Sequence, residues 1–425
     1  MSKKSEVLKI FDAALDAVLP HNAINNSVKL NENKLSVLDS EYNLNNYKNI
    51  YLCGSGKASL LMAEEIENIL GSLIHSGVVI SPMNDSKLKY ATHLNSTHPI
   101  PTQKSLDASY EMLNSLEEMK EDDLLIYCLS GGSSALLELP LEDITLEEFA
   151  QTTKILLENG FAIDKINSVR KHLSQVKGGR LAMATKAEVI VLVISDVVGD
   201  DLESIASAPF YFDSSTFEDV ENILYEKNVF MQLPHNVQSV IKDGLSGKIK
   251  ETAKELKEKV YHAIISNNHL ALKASADYAK ELGFSVRLVK KSIEGSVENA
   301  AHEFLKKAKE LQEDEVLIQG GETTVNVIGT GVGGRNQHFA LCALAELDEK
   351  IIILSAGTDG IDGNSQDAGA VISLEIKEAA NNLNISINKY INDYDSNNFF
   401  KQLNTLISPG YTGTNVMDIM IAIKE

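Results

Sequence analysis

The sequence predicts an α/β protein of two domains, and three observations support this prediction. A chain of 425 residues is longer than one hydrophobic core usually supports. Short apolar runs alternate with longer amphipathic stretches along most of its length. Several of these runs are apolar without alternation, as strands covered on both faces should be. We therefore expect largely parallel sheets with helices packed against them.

Nine apolar runs are predicted to be strands. In chain order they are NIYLCG, GVVIS, DLLIYCLS, EVIVLVIS, YHAIIS, FSVRLV, EVLIQGG, KIIILSAG and DIMIAIK. Amphipathic stretches such as KASLLMAEEIENIL and NHLALKASADYAKELG are predicted to be helices between them. The region 212–259 has few motifs and several charged helical segments, so we interpret it as the connection between two α/β units.

The N-terminus predicts an amphipathic helix, because Leu8, Phe11, Leu15 and Val18 recur at helical spacing. Acidic residues interrupt this stretch, which argues against a targeting peptide. The chain has no apolar run long enough to span a bilayer. We therefore expect a cytoplasmic protein.

The composition narrows the classes of partner. With 39 basic and 60 acidic residues the net charge is −21, which disfavours nucleic acids and anionic membranes as partners. Cys53, Cys128 and Cys342 are far apart and lie in apolar runs, a pattern typical of buried thiols in a reducing compartment. No cysteine or histidine cluster has the spacing of metal ligands.

A glycine pattern near the middle of the C-terminal half suggests a dinucleotide site. Gly329, Gly331 and Gly334 satisfy the spacing G-x-G-x-x-G. However, the preceding run TTVNVI alternates polar and apolar residues, and no acidic residue ends a strand about 20 positions later. The match is therefore weak evidence for NAD.

Two small-residue loops follow predicted strands and suit an anion. The first is Gly54-Ser55-Gly56-Lys57, where exposed amides and a lysine would attract negative charge, although a tight turn with a solvated lysine explains it equally well. The second runs over 130–134 in LSGGSSALL. Its hydroxyls and amides favour anion binding over a nucleophilic serine, because the G-x-S-x-G elbow is absent, and a serine helix cap is the structural alternative.

The segment INSVRKHLSQVKGGRLA is a basic cluster in an acidic protein. It contains Arg170, Lys171, His172, Lys177 and Arg180. Alone, such a helix face is usually solvated surface. Against the negative net charge, and beside two anion loops, we interpret it as serving an anionic ligand.

Carboxylates end two further predicted strands. Asp196 follows VLVIS, and Asp359, with Thr358 and Asp362, follows KIIILSAG. Such carboxylates can bind Mg²⁺ or accept a hydroxyl proton, although acidic turn residues can also be purely structural. The final polar turn at 412–415 can be a simple turn.

Taken together, eight segments resemble a known family. CGSGKAS, THPIP, SGGSSALL, NSVRKHLSQVKGGRLA, SDVVGDD, GGETTVNVIGTGVGGRNQ, GTDGIDG and TGTNVMDI follow, in order, the pattern of the glycerate 2-kinases whose C-terminal part is called the MOFRL domain. No single segment is specific, but eight in register over nearly the whole chain are. Two places depart from the pattern: His338 replaces the usual Glu, and Asn364-Ser365 replace Pro-Thr.

The resemblance implies transfer of the ATP γ-phosphoryl group to the 2-hydroxyl of D-glycerate, with Mg²⁺. It implies a Rossmann-like N-terminal domain with a mostly parallel sheet, a smaller C-terminal α/β domain, and an active site in the cleft between them. We place the domains at 1–240 and 241–425, with the MOFRL region at about 313–420. The active-site lysine and arginine of the family fall on Lys57 and Arg335.

The residues expected to act in catalysis are Lys57, Arg335, Asp196 and Asp359, the last two also being the candidate Mg²⁺ ligands. The residues expected to bind nucleotide or substrate are Gly54, Ser55, Gly56, Ser130, Gly131, Gly132, Ser133, Ser134, Asn167, Arg170, Lys171, Glu322, Thr323, Asn336, Gln337, Thr358 and Asn415. The expected partners are D-glycerate and ATP, with a homodimer as one option and with neither nucleic acid nor membrane.

Two alternative functions stay open at this point. One is an NAD(P)H-dependent hydroxypyruvate reductase, which the glycine spacing would suggest. The other is a regulator that binds a nucleotide or sugar phosphate without turnover.

Overall fold

The structure, a computed structural model, describes residues 2–424. The chain forms two compact units. The continuous unit is Ile24–Ile265, and the discontinuous unit consists of Met1–Ala23 with Ser266–Glu425. The predicted boundary at 240/241 differs from this division, because it places the N-terminal helix with the first domain and residues 241–265 with the second.

The chain begins with helices α1 (Lys3–Val18) and α2 (Pro20–Ser27), and the continuous unit starts within α2. Its strands are β1 (Val28–Asn31), β2 (Lys34–Val37), β3 (Ser40–Asn43), β4 (Ile50–Ser55), β5 (Ile74–Ser76), β6 (Val78–Ser81), β7 (Thr92–Asn95), β8 (Leu124–Ser130), β9 (Glu188–Ile194) and β10 (Val260–Ser266). Its further helices are α3 (Ser59–Leu70), α4 (Gln103–Glu118), α5 (Ser133–Leu136), α6 (Leu146–Glu158), α7 (Ile163–His172), α8 (Arg180–Ala184), α9 (Phe217–Glu226) and α10 (His235–Leu245).

A seven-stranded sheet forms the centre of this unit, in the order β10-β9-β8-β4-β6-β7 with β5 beside β4. Strands β4 to β9 pair in parallel with their neighbours in this sheet. Every residue of β8 is buried, which explains why its sequence shows no alternation. The predicted parallel sheet is therefore confirmed. The small antiparallel sheet β1-β2-β3 was not predicted, because its three strands are short and rich in polar residues.

The segment at 212–259 is part of the continuous unit, so the prediction that it connects two units was wrong. Helices α9 and α10 pack with α6 and α7 around an apolar core of their own. Phe149, Leu156, Val220 and Ile241 are among its buried residues. The charged residues of α9 lie mostly on its outer face, as an amphipathic helix requires. The charged stretch at 247–259, also predicted to be helical, forms no helix, so that prediction was wrong.

The discontinuous unit holds the remaining elements. Its strands are β11 (Ser285–Leu288), β12 (Ile293–Ser296), β13 (Glu315–Thr324), β14 (Ile351–Gly357), β15 (Gly369–Ile372), β16 (Leu406–Ile407) and β17 (Asp418–Lys424). Its helices after α1 are α11 (Asn268–Glu281), α12 (Val297–Lys309), α13 (Arg335–Glu346), α14 (Leu374–Asn382), α15 (Ile387–Asn392) and α16 (Ser396–Leu403).

The sheet of this unit is mixed, in the order β11-β13-β17-β14-β15-β16 with β12 beside β13. Strands β11 and β12 run parallel to β13. The last strand, β17, lies between β13 and β14 and is antiparallel to both. The prediction of a largely parallel sheet was therefore wrong here. A strand buried on both faces is apolar throughout in either direction, so composition does not reveal its direction.

Helix α1 confirms the predicted N-terminal helix and packs on α11. Its buried residues are Val7, Ile10, Phe11, Ala14 and Val18. The Ser275 hydroxyl donates to the carbonyl of Ile10 at 3.3 Å, and that of Thr414 donates to the carbonyl of Val18 at 2.8 Å. Thus both ends of the chain build one unit. Among residues 2–424 there is no helix with the length and apolarity needed to cross a membrane.

Candidate functional site

Loops of the continuous unit leave the carboxyl edge of its parallel sheet, and four of them surround the candidate site. They follow β4, β7, β8 and β9 and lie at 56–58, 96–102, 131–132 and 195–197. The amide of Lys57 donates to the carbonyl of Gly131 at 2.9 Å, and the amide of Ala58 donates to Ser130 Oγ at 3.0 Å. The loops after β4 and β8 are thus bonded to each other. In open α/β sheets this edge is where ligands bind.

The glycines of these loops allow close approach. A Cβ added to Gly56, whose φ is +132°, would lie 2.2 Å from Ser130 Oγ. A Cβ on Gly131 would lie 1.8 Å from Oδ2 of Asp196. The predicted carboxylate at the end of β9 therefore lies directly against the loop after β8, and a larger residue at 131 would displace it.

The serines of the predicted anion loops are engaged inside the protein. Ser55 Oγ shares hydrogen bonds with Tyr127 OH at 2.6 Å and with Ser133 Oγ at 2.5 Å. The Ser134 hydroxyl is bonded to that of Ser207 at 2.7 Å. These hydroxyls fix the loop after β8, so its backbone amides are the groups better suited to an anion.

His98 is a neighbour of Lys57 that we did not predict as a site residue. A Cβ on Gly132 would lie 3.0 Å from Cγ of Lys57 and 3.0 Å from Cδ2 of His98. Partial burial, together with the charge of Lys57, lowers the pKa of His98 to about 4, so its imidazole is neutral at pH 7. The available signal was a histidine in THPIP, between a strand and a helix at the ligand-binding edge.

The predicted basic cluster divides into two groups. In the first, the buried Lys177 ammonium donates to the carbonyls of Ser134 and Leu137 at 2.9 and 3.1 Å and lies 3.0 Å from the buried carboxylate of Glu138. Burial lowers the pKa of Lys177 to about 8, although Glu138 opposes this effect. Arg170 also donates to the carbonyl of Ser134, at 3.1 Å. This group supports the loop after β8.

The side chains of the second group are paired with carboxylates of the same unit. Lys171 is buried and lies 3.3 Å from Asp213 and 3.4 Å from Glu203. His172 bonds Glu251 through Nε2 at 3.0 Å, and burial lowers the pKa of its imidazole. The structure thus places Lys171 in an internal ion-pair network. Asn167 lies beside the first group, where its side chain accepts a bond from Arg170 at 3.4 Å.

A left-handed turn supports the same loop from the other side. Ala206, Ser207 and Ala208 have φ values of 54°, 61° and 55°, a conformation that costs free energy for residues with a Cβ. The amides of Gly178 and Gly179 donate to the carbonyls of Ser207 and Ala208 at 3.0 and 2.6 Å. This turn holds the Ser207 hydroxyl on Ser134. The two glycines of the KGGR segment in turn hold the backbone of the turn.

In the discontinuous unit, Arg335 begins α13 and is held by two carboxylates. Its Nε and Nη2 donate to Asp418 at 2.6 and 3.0 Å, and its Nη1 lies 2.6 Å from Glu322. Burial lowers the pKa of the guanidinium, but the carboxylates outweigh this effect and raise it overall. Asp418, fully buried at the start of β17, was not predicted, and its one signal was an acidic residue at the beginning of an apolar run.

The two residues after Arg335 are fixed by Asp362. The backbone amides of Asn336 and Gln337 donate to its two oxygens at 3.1 and 2.8 Å, which caps α13. Asn336 also donates to Asp418 at 2.9 Å through its side chain. Burial raises the pKa of Asp362 to about 7, even though these amides oppose the shift. The carboxylate is thus poised to titrate near neutrality.

The other predicted residues of this unit lie around the ends of β13, β14 and β17. Thr358 donates to the carbonyl of Met417 at 2.8 Å and accepts the amide of Val416 at 2.8 Å, which is a structural use. Asp359 accepts the amide of Ile361 at 3.3 Å, and Asn415 accepts that of Met417 at 3.1 Å.

Asp359 lies near the side chain of Asn336, the residue that follows Arg335. A Cβ on Gly357 would lie 3.2 Å from Oδ1 of Asp359 and 3.4 Å from the side-chain nitrogen of Asn336. Thr323 is buried in β13.

The glycines at 329 and 331, which suggested a dinucleotide site, lie close against another stretch of backbone. A Cβ on Gly329 would lie 2.4 Å from the carbonyl oxygen of Asp393, and one on Gly331 would lie 2.5 Å from that of Tyr394. The strand before this glycine-rich loop, β13, pairs with β17, which runs antiparallel to it. A dinucleotide site is built on neighbouring parallel strands joined by a helix, and that arrangement is not formed here.

The residues that depart from the family pattern contact the glycine-rich loop, the helix α13 that follows it, or Tyr394. Asn364 accepts the amide of Gly333 at 2.8 Å, and Ser365 accepts the side chain of Gln337 at 2.7 Å. His338 is buried and stacks on Tyr394 with ring centroids 5.0 Å apart. Asn364 and Ser365 therefore support the loop and the first turn of α13.

Asp196 and Asp359 are the residues predicted to bind Mg²⁺. Within residues 2–424 no group of three or more His, Cys, Asp or Glu side chains is arranged to hold a metal ion. Mg²⁺ is commonly held by one or two carboxylates together with phosphate oxygens and water. Asp196, at the end of β9 and against the loop after β8, fits this use.

Comparison with known proteins shows which families and relatives this chain resembles. Residues 6–242 match the family described as domain of unknown function DUF4147, and residues 315–418 match the MOFRL family. A glycerate 2-kinase of Pyrococcus horikoshii is 37% identical, with 98% of this chain and 96% of the relative covered. A D-glycerate 2-kinase of Thermotoga maritima is 34% identical, with coverage of 99% and 98%.

Solved structures agree with these matches. The crystal structure of a glycerate kinase from Thermotoga maritima has a TM-score of 0.87 and 33% identity, with all of both chains covered. That of a Pyrococcus horikoshii protein has a TM-score of 0.86 and 36% identity, with 100% and 99% covered. The α/β fold class is confirmed. This chain belongs to the family of glycerate kinases in which a DUF4147 domain is followed by a MOFRL domain.

Proposed function

We propose that this protein transfers the γ-phosphoryl group of ATP to the 2-hydroxyl of D-glycerate, giving 2-phosphoglycerate and ADP. The observation that carries the proposal is the common sheet edge of the continuous unit. There Lys57, His98 and Asp196 lie against one loop of small residues, Gly131 and Gly132. Relatives along the full chain are glycerate 2-kinases, which supports the choice of substrate.

Phosphoryl transfer requires mainly that the reacting oxygens lie in line and that the charge of the phosphoryl group is balanced. In this proposal Lys57 and Arg335 supply positive charge, and the amides of the loop after β8 bind phosphate oxygens. Asp196 or Asp359 would hold Mg²⁺, which when bound neutralises phosphate charge. The other aspartate would orient the glycerate hydroxyl. The cleft between the domains, a cytoplasmic location and a homodimer stay predictions.

The direct test is incubation of the purified protein with ATP, Mg²⁺ and D-glycerate. ADP release should depend on glycerate, and ³¹P NMR should identify 2-phosphoglycerate and not the 3-isomer. Lys57→Ala and Arg335→Ala should each lower kcat strongly. Lys186→Ala and Arg287→Ala are matched controls, because Lys186 is exposed and Arg287 forms ion pairs with Glu310 and Glu315. Nearly intact kcat in both site variants would contradict the proposed roles.

The two aspartates can be separated by their dependence on the metal. Asp196→Asn and Asp359→Asn should be assayed over a range of Mg²⁺ concentration. The variant that lacks the metal ligand should need more Mg²⁺ for half-maximal rate, whereas loss of the other aspartate should lower kcat at every concentration. Full activity of both variants would remove both roles.

The reductase alternative has less support. The glycines that suggested it lie against the backbone of Asp393 and Tyr394. Oxidation of NADH by hydroxypyruvate, together with no ADP release, would favour it over the kinase. Binding of ATP with no turnover of any hydroxy acid would favour the regulator.

A further inference from the structure

The loop that carries His98 is held firmly on both sides of that residue. The Ser96 hydroxyl donates to the carbonyl of Leu136 at 2.7 Å, which ties the loop to the end of α5. The Thr97 hydroxyl donates to the carbonyl of Ile100 at 3.0 Å, and it is also hydrogen-bonded to the Thr102 hydroxyl at 2.9 Å. The backbone at His98 is therefore positioned by its neighbours without any contribution from the imidazole.

The imidazole itself is placed beside Lys57. A Cβ on Gly132 would lie 3.0 Å from Cδ2 and 3.2 Å from Nε2 of the ring, and 3.0 Å from Cγ of Lys57. Within residues 2–424 neither ring nitrogen of His98 has a hydrogen-bond partner. By contrast, His93 in the neighbouring strand β7 is bonded to Ser81 at 2.9 Å. His98 is thus fixed in place while its nitrogens remain available.

We propose that His98 is the catalytic base that accepts the proton of the glycerate 2-hydroxyl, an inference that rests on the proposed function. A bond forms between the 2-oxygen and the γ-phosphorus, and the bond from that phosphorus to the β,γ-bridging oxygen breaks. The electron pair of that bond leaves with ADP. The hydroxyl proton goes to a neutral ring nitrogen of His98 and afterwards to water.

The charges around the ring favour this role. Lys57 disfavours the protonated ring in the free protein, so His98 is ready to accept a proton at neutral pH. A phosphoryl group bound to Lys57 offsets that positive charge, so the imidazole becomes more basic when the substrates are in place. Asp196 lies against Gly131, one residue away along the loop. A carboxylate that holds Mg²⁺ is a weaker base, and this assignment leaves Asp196 for the metal.

The test compares three variants with the wild type, using the full chain with ATP, Mg²⁺ and D-glycerate. His98→Gln should lower kcat by about 10²- to 10⁴-fold, the usual contribution of a general base, and should leave the KM for ATP unchanged. Added imidazole should restore part of the kcat of His98→Ala, because the deleted ring leaves space beside Gly132. His93→Gln is the control and should respond to imidazole no more than the wild type does.

Three outcomes would overturn the proposal. The first is a His98→Gln enzyme with wild-type kcat. The second is a loss confined to the KM for ATP. The third is an inactive His98→Ala enzyme that imidazole does not restore, although thermal unfolding shows that it is folded. If His98→Ala does not fold, the kcat of the His98→Gln enzyme decides the test. A wild type that forms no phosphoglycerate overturns the proposed function as well, so the two failures are distinguishable.

Discussion

The guanidinium of Arg335 is bound in a forked arrangement by the buried carboxylate of Asp418, with Nε 2.6 Å from Oδ2 and Nη2 3.0 Å from Oδ1. This pair joins the first residue of α13 to the first residue of β17. Asn268 donates to the backbone carbonyl of Asp418 at 3.1 Å and so fixes the strand end. Arg335 therefore has one defined orientation, with its third nitrogen directed to Glu322.

Asp418→Asn should disturb this orientation. The substitution leaves the guanidinium without its buried counter-charge, and we expect a loss of about 3 kcal/mol in the free energy of unfolding, near the low end for a broken buried pair. Misplacement of Arg335 by about 1 Å would lower kcat by on the order of 10²-fold. Urea unfolding and the kinase assay measure both effects. Asp348→Asn removes an exposed partner of Lys309 and is the control. A variant with wild-type kcat would show that Asp418 does not position the arginine.

Asp362 should make stability depend on pH. Its pKa is raised from 3.8 to about 7 in the folded protein, so the folded state binds more protons than the unfolded state between these values. The stabilisation is fully present below about pH 4 and is lost as the pH rises through about 7. The unfolding free energy of the wild type, relative to Asp362→Asn, should therefore fall over this range and become constant above it. A pH-independent difference would contradict the raised pKa.

The Lys177–Glu138 pair should be worth more than an exposed pair. Both side chains are buried, so Lys177→Met leaves the Glu138 carboxylate with only the more distant Arg170, at 3.6 Å, as its cation and should cost about 3 kcal/mol. The double variant Lys177→Met with Glu138→Leu should cost less than the sum of the single variants. Urea unfolding of all three measures the coupling. Lys248→Ala, which breaks an exposed pair with Asp243, should cost about 1 kcal/mol or less. Additive losses would contradict the pairing.

Gly331→Ala should displace the loop that leads to Arg335. The new methyl group would lie 2.5 Å from the carbonyl oxygen of Tyr394, which belongs to the backbone and cannot move aside easily. We expect a loss of about 1–3 kcal/mol, typical of overpacking, and a lower kcat. Val327→Ala in the same loop is the control, because Val327 is exposed and its truncation should change stability by about 0.5 kcal/mol or less. Calorimetry and the kinase assay distinguish the two variants, and equal behaviour would contradict the packing role.

The strands could be predicted because burial on both faces leaves a continuous apolar run, as in β8 and β9. The loops at their carboxyl ends followed from the same pattern, which located Lys57 and Asp196. The direction of β17 could not be predicted, since an apolar run is the same in either direction. The element on which α1 packs could not be predicted either. An amphipathic face indicates that a helix is buried on one side, but it does not identify the element that covers it.

Individual side chains were harder to predict than loops. Ser55 and Ser133 were predicted to bind ligand, yet their hydroxyls bond each other, which depends on how two loops meet. Asp418 and His98 are single residues whose neighbours are distant in sequence. The turn at Ala206–Ala208 contains no glycine, so the usual signal of a left-handed backbone is missing. The roles proposed for Lys57, Arg335, Asp196 and Asp359 stay predictions.

The packing of α1 against α11 sets an order for folding during synthesis. The ribosome releases the N-terminal residues first, but their partner begins at Asn268, and Thr414 follows much later. In the meantime, the continuous unit can fold on its own, since domains generally fold as they emerge. Helix α1 therefore cannot bury its apolar face until α11, which is made after the whole continuous unit, has also left the ribosome.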